Sequence, residues 1–247
     1  AGREADRLYE EAVRRHAGSS PVERFTRYAR AAEEGHPAAQ YNVAMMYANG
    51  EAVNVDYQQS VYWFRKSADQ RFAPAQLRLG ELHYFGMGGL PADPRTAARL
   101  FESAAKQGDP DGCLNFAVML GSGDVVPLDS ERARSMLQCA EDGGNEFAAD
   151  YRAELDAPPA GRFSEAFAQN FWRQQEQFWV EMAARFGVRA AARSSHRLQS
   201  KAQRGLTQPN AMRWNRTGLT SRSSSSRVIL ASNLPSLLYV WALMTTC

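Results

Sequence analysis

The residues able to carry out chemistry are few and irregularly spaced. Four histidines and three cysteines occur in the chain: His16, His36, His83, His196, Cys113, Cys139 and Cys247. They form no His-Glu-x-x-His or Cys-x-x-Cys pattern, and no Gly-x-Ser-x-Gly elbow or Walker loop occurs, so none of the spacings that align metal ligands, a nucleophile or a phosphate is present. The sequence therefore predicts no catalytic residue, no cofactor and no metal, and it points away from an enzyme.

Three local features have a plainer interpretation than a reactive site. The glycines of Gly86-x-Gly88-Gly89 follow a helical pattern and not a strand, so they indicate a turn and not a phosphate cradle. His83 lies within an apolar helix and is expected to be a core or groove residue. Cys113 and Cys139 occupy repeat positions of the small-residue or helical type, which favours reduced, buried thiols; a single disulfide is the alternative.

The elements that would position any site repeat every 36 or 37 residues between Gly35 and Gly144. Several small or turn-forming residues return at this interval: Ala32, Ala68, Ala105 and Ala140; Gly50, Gly86 and Gly123; Asp56, Asp93 and Asp129; Pro37, Pro74 and Pro110. A fixed period of this length is typical of stacked repeats, in which each unit buries its apolar face only against its neighbours. Such a chain is built to present a surface.

Each repeat is predicted to be a pair of antiparallel helices. The first helix begins at the proline, which suits the opening helical position, and ends at Gly50, Gly86 or Gly123. The second begins after Asp56, Asp93 or Asp129, whose carboxylate can accept from free backbone N–H groups. We expect these second helices over about residues 56–70, 93–107 and 129–142, with an all-α fold throughout.

The flanking segments predict four parts. Residues 1–35 are a degenerate N-terminal helix pair, residues 36–157 the solenoid, residues 158–187 an aromatic helix, and residues 188–247 a tail. The aromatic helix follows a Pro-Pro-Ala-Gly breaker. It is expected to cap the open end of the solenoid; the alternative is a helix that inserts into a groove of a partner. Its face consists of Phe163, Phe167, Phe171, Phe178, Met182 and Phe186, with Trp172 and Trp179 beside them.

The charge is divided unevenly along the chain. Residues 1–181 carry a net charge of −8, whereas residues 182–247 contain ten Lys and Arg and no acid, which gives this segment a net charge of +10. A serine-rich, basic segment without apolar period is expected to be largely disordered. Its hydrophobic end, residues 228–244, is interrupted and short for a bilayer span of about 20 residues. A mistranslated intron would also produce such a tail.

The repeat residues resemble those of a known family. The run from Leu79-Gly80 through Tyr84, Gly86 and Gly88 to Asp93 is similar to a Sel-1-like repeat, which has a Gly-x-Gly turn that the 34-residue tetratricopeptide repeat lacks. Further matches are Ala97, Phe101, Ala104, Ala105 and Gly108, and, in the preceding unit, Tyr47, Gly50, Val53, Asp56, Trp63, Ala68 and Ala75. The sequence departs from the family pattern at His83, at Gly89 and at Val125.

The resemblance implies a right-handed α-α superhelix that acts as a non-catalytic adaptor or scaffold. In that family the first helices line a concave face that binds proteins or peptides. Positions on this face that vary between repeats are expected to point outward and to contact a partner: Asn42, Met45, Arg78, Glu81, Tyr84 and Asn115. The mixture of polar and aromatic side chains suits protein recognition.

Two other functions and two compartments stay open. One is an endoplasmic-reticulum quality-control adaptor associated with a ubiquitin ligase; the sequon at Asn215 has meaning only in a secretory compartment. The other is a tail that binds nucleic acid or an anionic membrane through a basic stripe, Arg185, Arg189, Arg193, Arg197 and Lys201. The sequence favours protein partners over nucleic acid, and the cytoplasm slightly over the endoplasmic-reticulum lumen.

Overall fold

The structure, a computed structural model, describes residues 2–157 and 161–185, and for residues 182–185 the backbone alone. These residues form ten α-helices and no strand. The helices are α1 (Gly2–Arg14), α2 (Pro21–Glu33), α3 (Pro37–Asn49), α4 (Tyr57–Asp69), α5 (Ala73–Phe85), α6 (Pro94–Ala105), α7 (Pro110–Ser122), α8 (Ser130–Asp142), α9 (Ala148–Asp156) and α10 (Glu165–Arg185). Helices adjacent in sequence from α1 to α9 pack against each other, so the chain is an α-α solenoid.

The second helices of the repeats begin where the aspartates predict. The Asp56 side chain accepts from the backbone N–H groups of Gln58 and Gln59 at the start of α4. Asp93 and Asp129 make the equivalent bonds, to the N–H groups three residues on, at the start of α6 and α8. Each bond satisfies a backbone donor that has no partner within the helix. The positions of the aspartates in the sequence therefore predict where three helices begin.

The first helices end at glycines in the left-handed region of backbone space. Gly50, Gly86 and Gly123 have φ angles of 69°, 69° and 73° and follow α3, α5 and α7. A side chain is disfavoured there, which explains why glycine returns at this position. The turns before the first helices of the repeats also contain left-handed residues. Gly35 and Gly108 have φ angles of 98° and 79°, and Arg71 adopts the same conformation with a φ angle of 64°.

The core is an apolar spine between the two layers of helices. One aromatic or aliphatic side chain from each second helix lies at its centre, and Phe64, Phe101 and Leu137 have no exposed surface. The alanines between helices, including Ala68 and Ala105, are buried as their spacing predicts. Small side chains permit neighbouring helices to approach closely, and this approach lets successive repeats share one continuous core.

Gly80 shows how closely the helices approach. A Cβ atom added to Gly80 would lie 2.6 Å from Cε1 of Phe101, whose ring is fully buried and cannot move aside. We expect Gly80→Ala to lower the free energy of unfolding by about 1–2 kcal/mol, because the overpacking exceeds the gain of alanine over glycine in a helix. Urea denaturation measures the loss. Gly2→Ala, with nothing within 4 Å, is the control; equal stabilities of the two variants would contradict this packing.

Cys113 and Cys139 form a disulfide that links α7 to α8 within the third repeat. The expectation of two reduced thiols is therefore wrong in this structure, and the alternative of one disulfide holds. The reason is tertiary. The two residues are 26 positions apart, but the hairpin places their Cα atoms 6.1 Å apart, within the range that a disulfide spans.

The predicted tail, residues 188–247, lies outside the described residues, and so do its sequon, its hydrophobic end and every residue of the basic stripe except Arg185. Within the described residues, none of the helices has the length and apolar character needed to span a bilayer.

Candidate functional site

The six predicted partner-binding residues lie on α3, α5 and α7, the first helices of three successive repeats. α10 runs across these three helices and contacts α3 and α7 as well as α5. We call the surface of α3, α5 and α7 that α10 crosses the groove. The groove is therefore occupied by a helix of the same chain.

The first part of α10 and the residues before it form a cap segment, residues 163–171, at the end of the solenoid. Its buried rings Phe163 and Phe171 lie against α7 and α9: the Phe163 N–H donates to the carbonyl of Gly121 at 2.9 Å, and the rings of Phe171 and Tyr151 are 5.6 Å apart. The predicted capping role describes this segment. It does not describe the rest of α10, which continues into the groove.

The groove segment, residues 172–181, begins with Trp172. The Trp172 ring stacks on Tyr84 of α5 with 4.0 Å between centroids, and it also faces the buried ring of Phe101 at 5.9 Å. Stacked aromatic pairs at such distances add to the gain from burying their surface. Burial raises the pKa of Tyr84, so its hydroxyl stays neutral under ordinary conditions.

Trp179, one heptad further along, is the most deeply buried residue of the groove segment and has 1% of its surface exposed. Its indole N–H donates to a carboxylate oxygen of Glu81 at 3.0 Å. The Tyr57 hydroxyl at the start of α4 lies 3.5 Å from the Trp179 carbonyl oxygen. An indole that donates to a carboxylate is both an apolar anchor and a specific polar contact.

Beneath the groove segment lies a buried ion pair. Nη1 of Arg78 donates to the two carboxylate oxygens of Glu81 at 2.9 and 3.0 Å, and the Arg78 guanidinium is 5.5 Å from the ring centre of Phe178. Burial raises the pKa of Glu81, against the opposing effects of Arg78 and the Trp179 bond. Burial also disfavours the Arg78 cation, but attraction to Glu81 raises the pKa of Arg78.

Two polar groups of the groove have no hydrogen-bond partner among the described residues. They are Nε of Arg78 and Nδ2 of Asn115, and both are buried. A buried donor without a partner loses its hydration and gains nothing in return, at a cost of about 1–3 kcal/mol. The floor of the groove is therefore polar and incompletely satisfied while α10 covers it.

The structure places the six predicted residues in different environments. Arg78, Glu81 and Tyr84 contact α10 directly. Asn115 is buried, with 2% of its surface exposed. Asn42 and Met45 on α3 are half-buried. The expectation that all these positions point outward is wrong for Arg78, Glu81 and Asn115, because the chain supplies its own cover.

Sequence reasoning missed Trp172 and Trp179 as groove residues. It placed them beside a phenylalanine face, whereas the structure buries both indoles and leaves Phe178 only half-buried. Their spacing of seven residues was the available signal, because two residues seven apart lie on one stripe of a helix. The sequence does not reveal which surface that stripe contacts.

Apart from the Cys113–Cys139 disulfide, the histidines and cysteines of the described residues do not form a common site. Among residues 2–157 and 161–185, no three or more His, Cys, Asp or Glu side chains form a group that could hold a metal ion. Gly86, Gly88 and Gly89 connect α5 to α6 with φ angles of 69°, 67° and 80°, as expected of a turn. His83 is half-buried in α5, and burial lowers its pKa.

Comparison with known proteins agrees with this geometry. The model of the Sel1 repeat matches residues 37–72, 73–109 and 110–145, the three repeats built from α3 to α8. The chain carries three Sel1 repeats. The crystal structure of a Sel1 repeat protein from Oxalobacter formigenes superposes with a TM-score of 0.53 and 25% identity, covering 75% of this chain and 80% of that one. These likenesses confirm the predicted solenoid of Sel-1-like helix pairs.

A second solved structure shows the same fold. It is c5321, a protective antigen of uropathogenic Escherichia coli with an SLR fold, at a TM-score of 0.53 and 23% identity over 74% of this chain and 41% of that one. Sel1 repeat proteins generally mediate protein–protein interactions, so this solenoid has a fold that is commonly used to bind other proteins.

Curated relatives match over about a third of the chain. An uncharacterised protein of Neisseria meningitidis, NMB1327, is 34% identical over 84 residues, which are 34% of this chain and 17% of that protein. Chitin synthase regulatory factor 4 of Schizosaccharomyces pombe is 32% identical over 38% of this chain and 15% of its own length. Cytochrome c oxidase assembly factor 7 of Xenopus tropicalis is 31% identical over 32% and 35%. The chain thus spans well under half of each relative.

Proposed function

We propose that this Sel1-repeat chain is a non-catalytic scaffold that binds partner proteins in the groove of α3, α5 and α7. The partner-contacting residues are Asn42, Met45, Arg78, Glu81, Tyr84 and Asn115. The observation that supports this most directly is α10 itself, because a helix lies in the groove and its side chains meet Arg78, Glu81 and Tyr84.

The chemistry of the groove favours recognition over catalysis. It offers aromatic surface beside one charged pair, and such mixtures of anchors and polar contacts are typical of the centres of protein interfaces. Two relatives are named as a regulatory factor and an assembly factor. Their names favour a role in assembling or regulating other proteins, and the short shared segment makes this a proposal for the present chain.

A photo-crosslinking experiment tests the proposed surface. A photoreactive phenylalanine analogue replaces Met45, which is half-buried on α3, in the full chain expressed in its native cells. We expect a partner protein to crosslink at position 45 but not at Tyr62, an exposed position on α4 that serves as the matched control. Equal labelling at both positions, or none at position 45, would contradict binding in the groove.

The disulfide favours one alternative, a scaffold in an oxidising compartment. Disulfides form and persist in secreted, lumenal or periplasmic proteins and are rare in the cytosol. The Cys113–Cys139 pair therefore supports the endoplasmic-reticulum adaptor, or another non-cytosolic scaffold, over the slightly favoured cytoplasmic placement. Thiol labelling of the protein from its native cells, before and after reduction, detects the disulfide and so distinguishes a non-cytosolic from a cytosolic scaffold.

A further inference from the structure

α10 makes two kinds of contact with the solenoid, one through the cap segment and the other through the groove segment. The cap segment covers the apolar end of the solenoid: Phe163 and Phe171 are buried, and the Phe163 N–H is bound to the Gly121 carbonyl. The groove segment contacts the spine through Trp172, which faces the buried ring of Phe101, and it contacts the polar residues of the groove through Trp179, which donates to Glu81.

The groove segment touches the solenoid through one stripe. Trp172 and Trp179 face inward, whereas Arg173, Gln174, Gln177 and Glu181 on the opposite side are exposed. Its hold on the groove thus depends on two indoles, the Phe178 ring, the hydrogen bond of Trp179 to Glu81 and the longer bond of the Tyr57 hydroxyl to the Trp179 carbonyl.

The buried polar side chains of the groove oppose docking of the groove segment. When the groove segment is in place, the Arg78–Glu81 pair is buried, and Nε of Arg78 has no partner among the described residues. When the segment leaves, water can reach these groups, so their desolvation is relieved. Desolvation of an ion pair can offset much of the gain from the contacts above it. The free-energy difference between the docked and released states of the groove segment is thus smaller than the burial of two indoles alone would give.

We infer that the groove is a receptor for a partner helix that presents two tryptophans seven residues apart, and that residues 172–181 occupy it as an exchangeable intramolecular ligand. This rests on the proposed function and adds the kind of partner. Specificity comes from the depth of the Trp179 site, where the carboxylate of Glu81 requires an N–H donor on the incoming ring. A phenylalanine fills the space but leaves that acceptor without its bond.

A labelled peptide tests this in the full chain. The probe is a synthetic fluorescein-labelled peptide with the sequence of residues 171–185, and its binding is followed by fluorescence anisotropy. Because a ligand binds only the open fraction of its receptor, occupancy by the groove segment weakens the apparent affinity of the probe. We expect the full-length Trp179→Ala variant to bind the probe at least about tenfold more tightly than the unaltered protein.

Matched variants show which contact is responsible. Gln174→Ala alters an exposed position of the same segment and is expected to bind the probe as the unaltered protein does. A probe in which the residue matching Trp179 is phenylalanine should bind Trp179→Ala several-fold more weakly than the tryptophan probe. Equal affinity of all three proteins for the probe, or equal affinity of the two probes for Trp179→Ala, would overturn the inference.

Hydrogen exchange of the unaltered protein gives a test that needs no variant. Local opening is expected to expose the amides of residues 172–181 at least about tenfold more often than those of α7. Equal protection of the two helices would mean that α10 opens only with the whole fold and would overturn the inference.

A concentration-dependent dimer of Trp179→Ala would also overturn the inference, because it would assign the groove to a second copy of the chain. None of these failures would alter the crosslinking result at position 45.

Discussion

Phe101→Ala is expected to lower the free energy of unfolding by about 3–5 kcal/mol, the range for deleting a fully buried aromatic ring. Phe101 lies on α6 in the centre of the spine, has no exposed surface and fills the space over Gly80. The cavity left behind cannot collapse easily, because backbone on the Gly80 side is already in close contact. Urea denaturation followed by circular dichroism measures the loss.

The same substitution one repeat earlier is the matched control. Phe64 occupies the equivalent position of α4 and is also fully buried. We expect Phe64→Ala to cost a similar amount but to leave Trp172 in place, because of these two phenylalanines it is Phe101 that faces the indole. Phe101→Ala should therefore release the groove segment and raise probe affinity, whereas Phe64→Ala should not. A loss below about 1 kcal/mol for both would contradict the buried spine.

Loss of the Cys113–Cys139 disulfide is expected to lower stability by about 3.5 kcal/mol, because the bond closes a loop between residues 26 positions apart and restricts the unfolded chain. Cys139→Ala, made in a Cys247→Ser background to prevent thiol exchange, tests this against the same background with both cysteines present. The melting temperature of the parent should fall toward that of the variant when a reductant is added.

The thiol count decides the outcome for the disulfide. The Cys247→Ser parent, denatured without reductant, is expected to show no reactive thiol, and two after reduction. Two reactive thiols without reductant would contradict the disulfide. A melting temperature of the parent that does not change on reduction would contradict its contribution to stability.

Much of the solenoid could be predicted from the sequence because its signals are local. A helix start at Asp56 depends on N–H groups two and three residues away, and a helix end at Gly86 depends on the backbone angle of a single residue. These contacts lie within one turn, so they can be predicted without knowing what packs nearby.

The site was predicted only in part. The groove residues were identified on the correct helices, because a repeat places equivalent positions on one face. Their exposure was wrong for Arg78, Glu81 and Asn115, because burial depends on what covers a surface as well as on which way it points.

By itself, then, the sequence determined the period, the helix pairs, the caps and the face that carries the groove. The tertiary structure decided that Trp179 meets Glu81 across 98 positions of the chain and that Cys113 meets Cys139. The physical reason is range. Periodicity records which side of a helix is apolar, but the partner of that side is chosen by packing between segments far apart in the chain, and a single sequence carries no local signal for that choice.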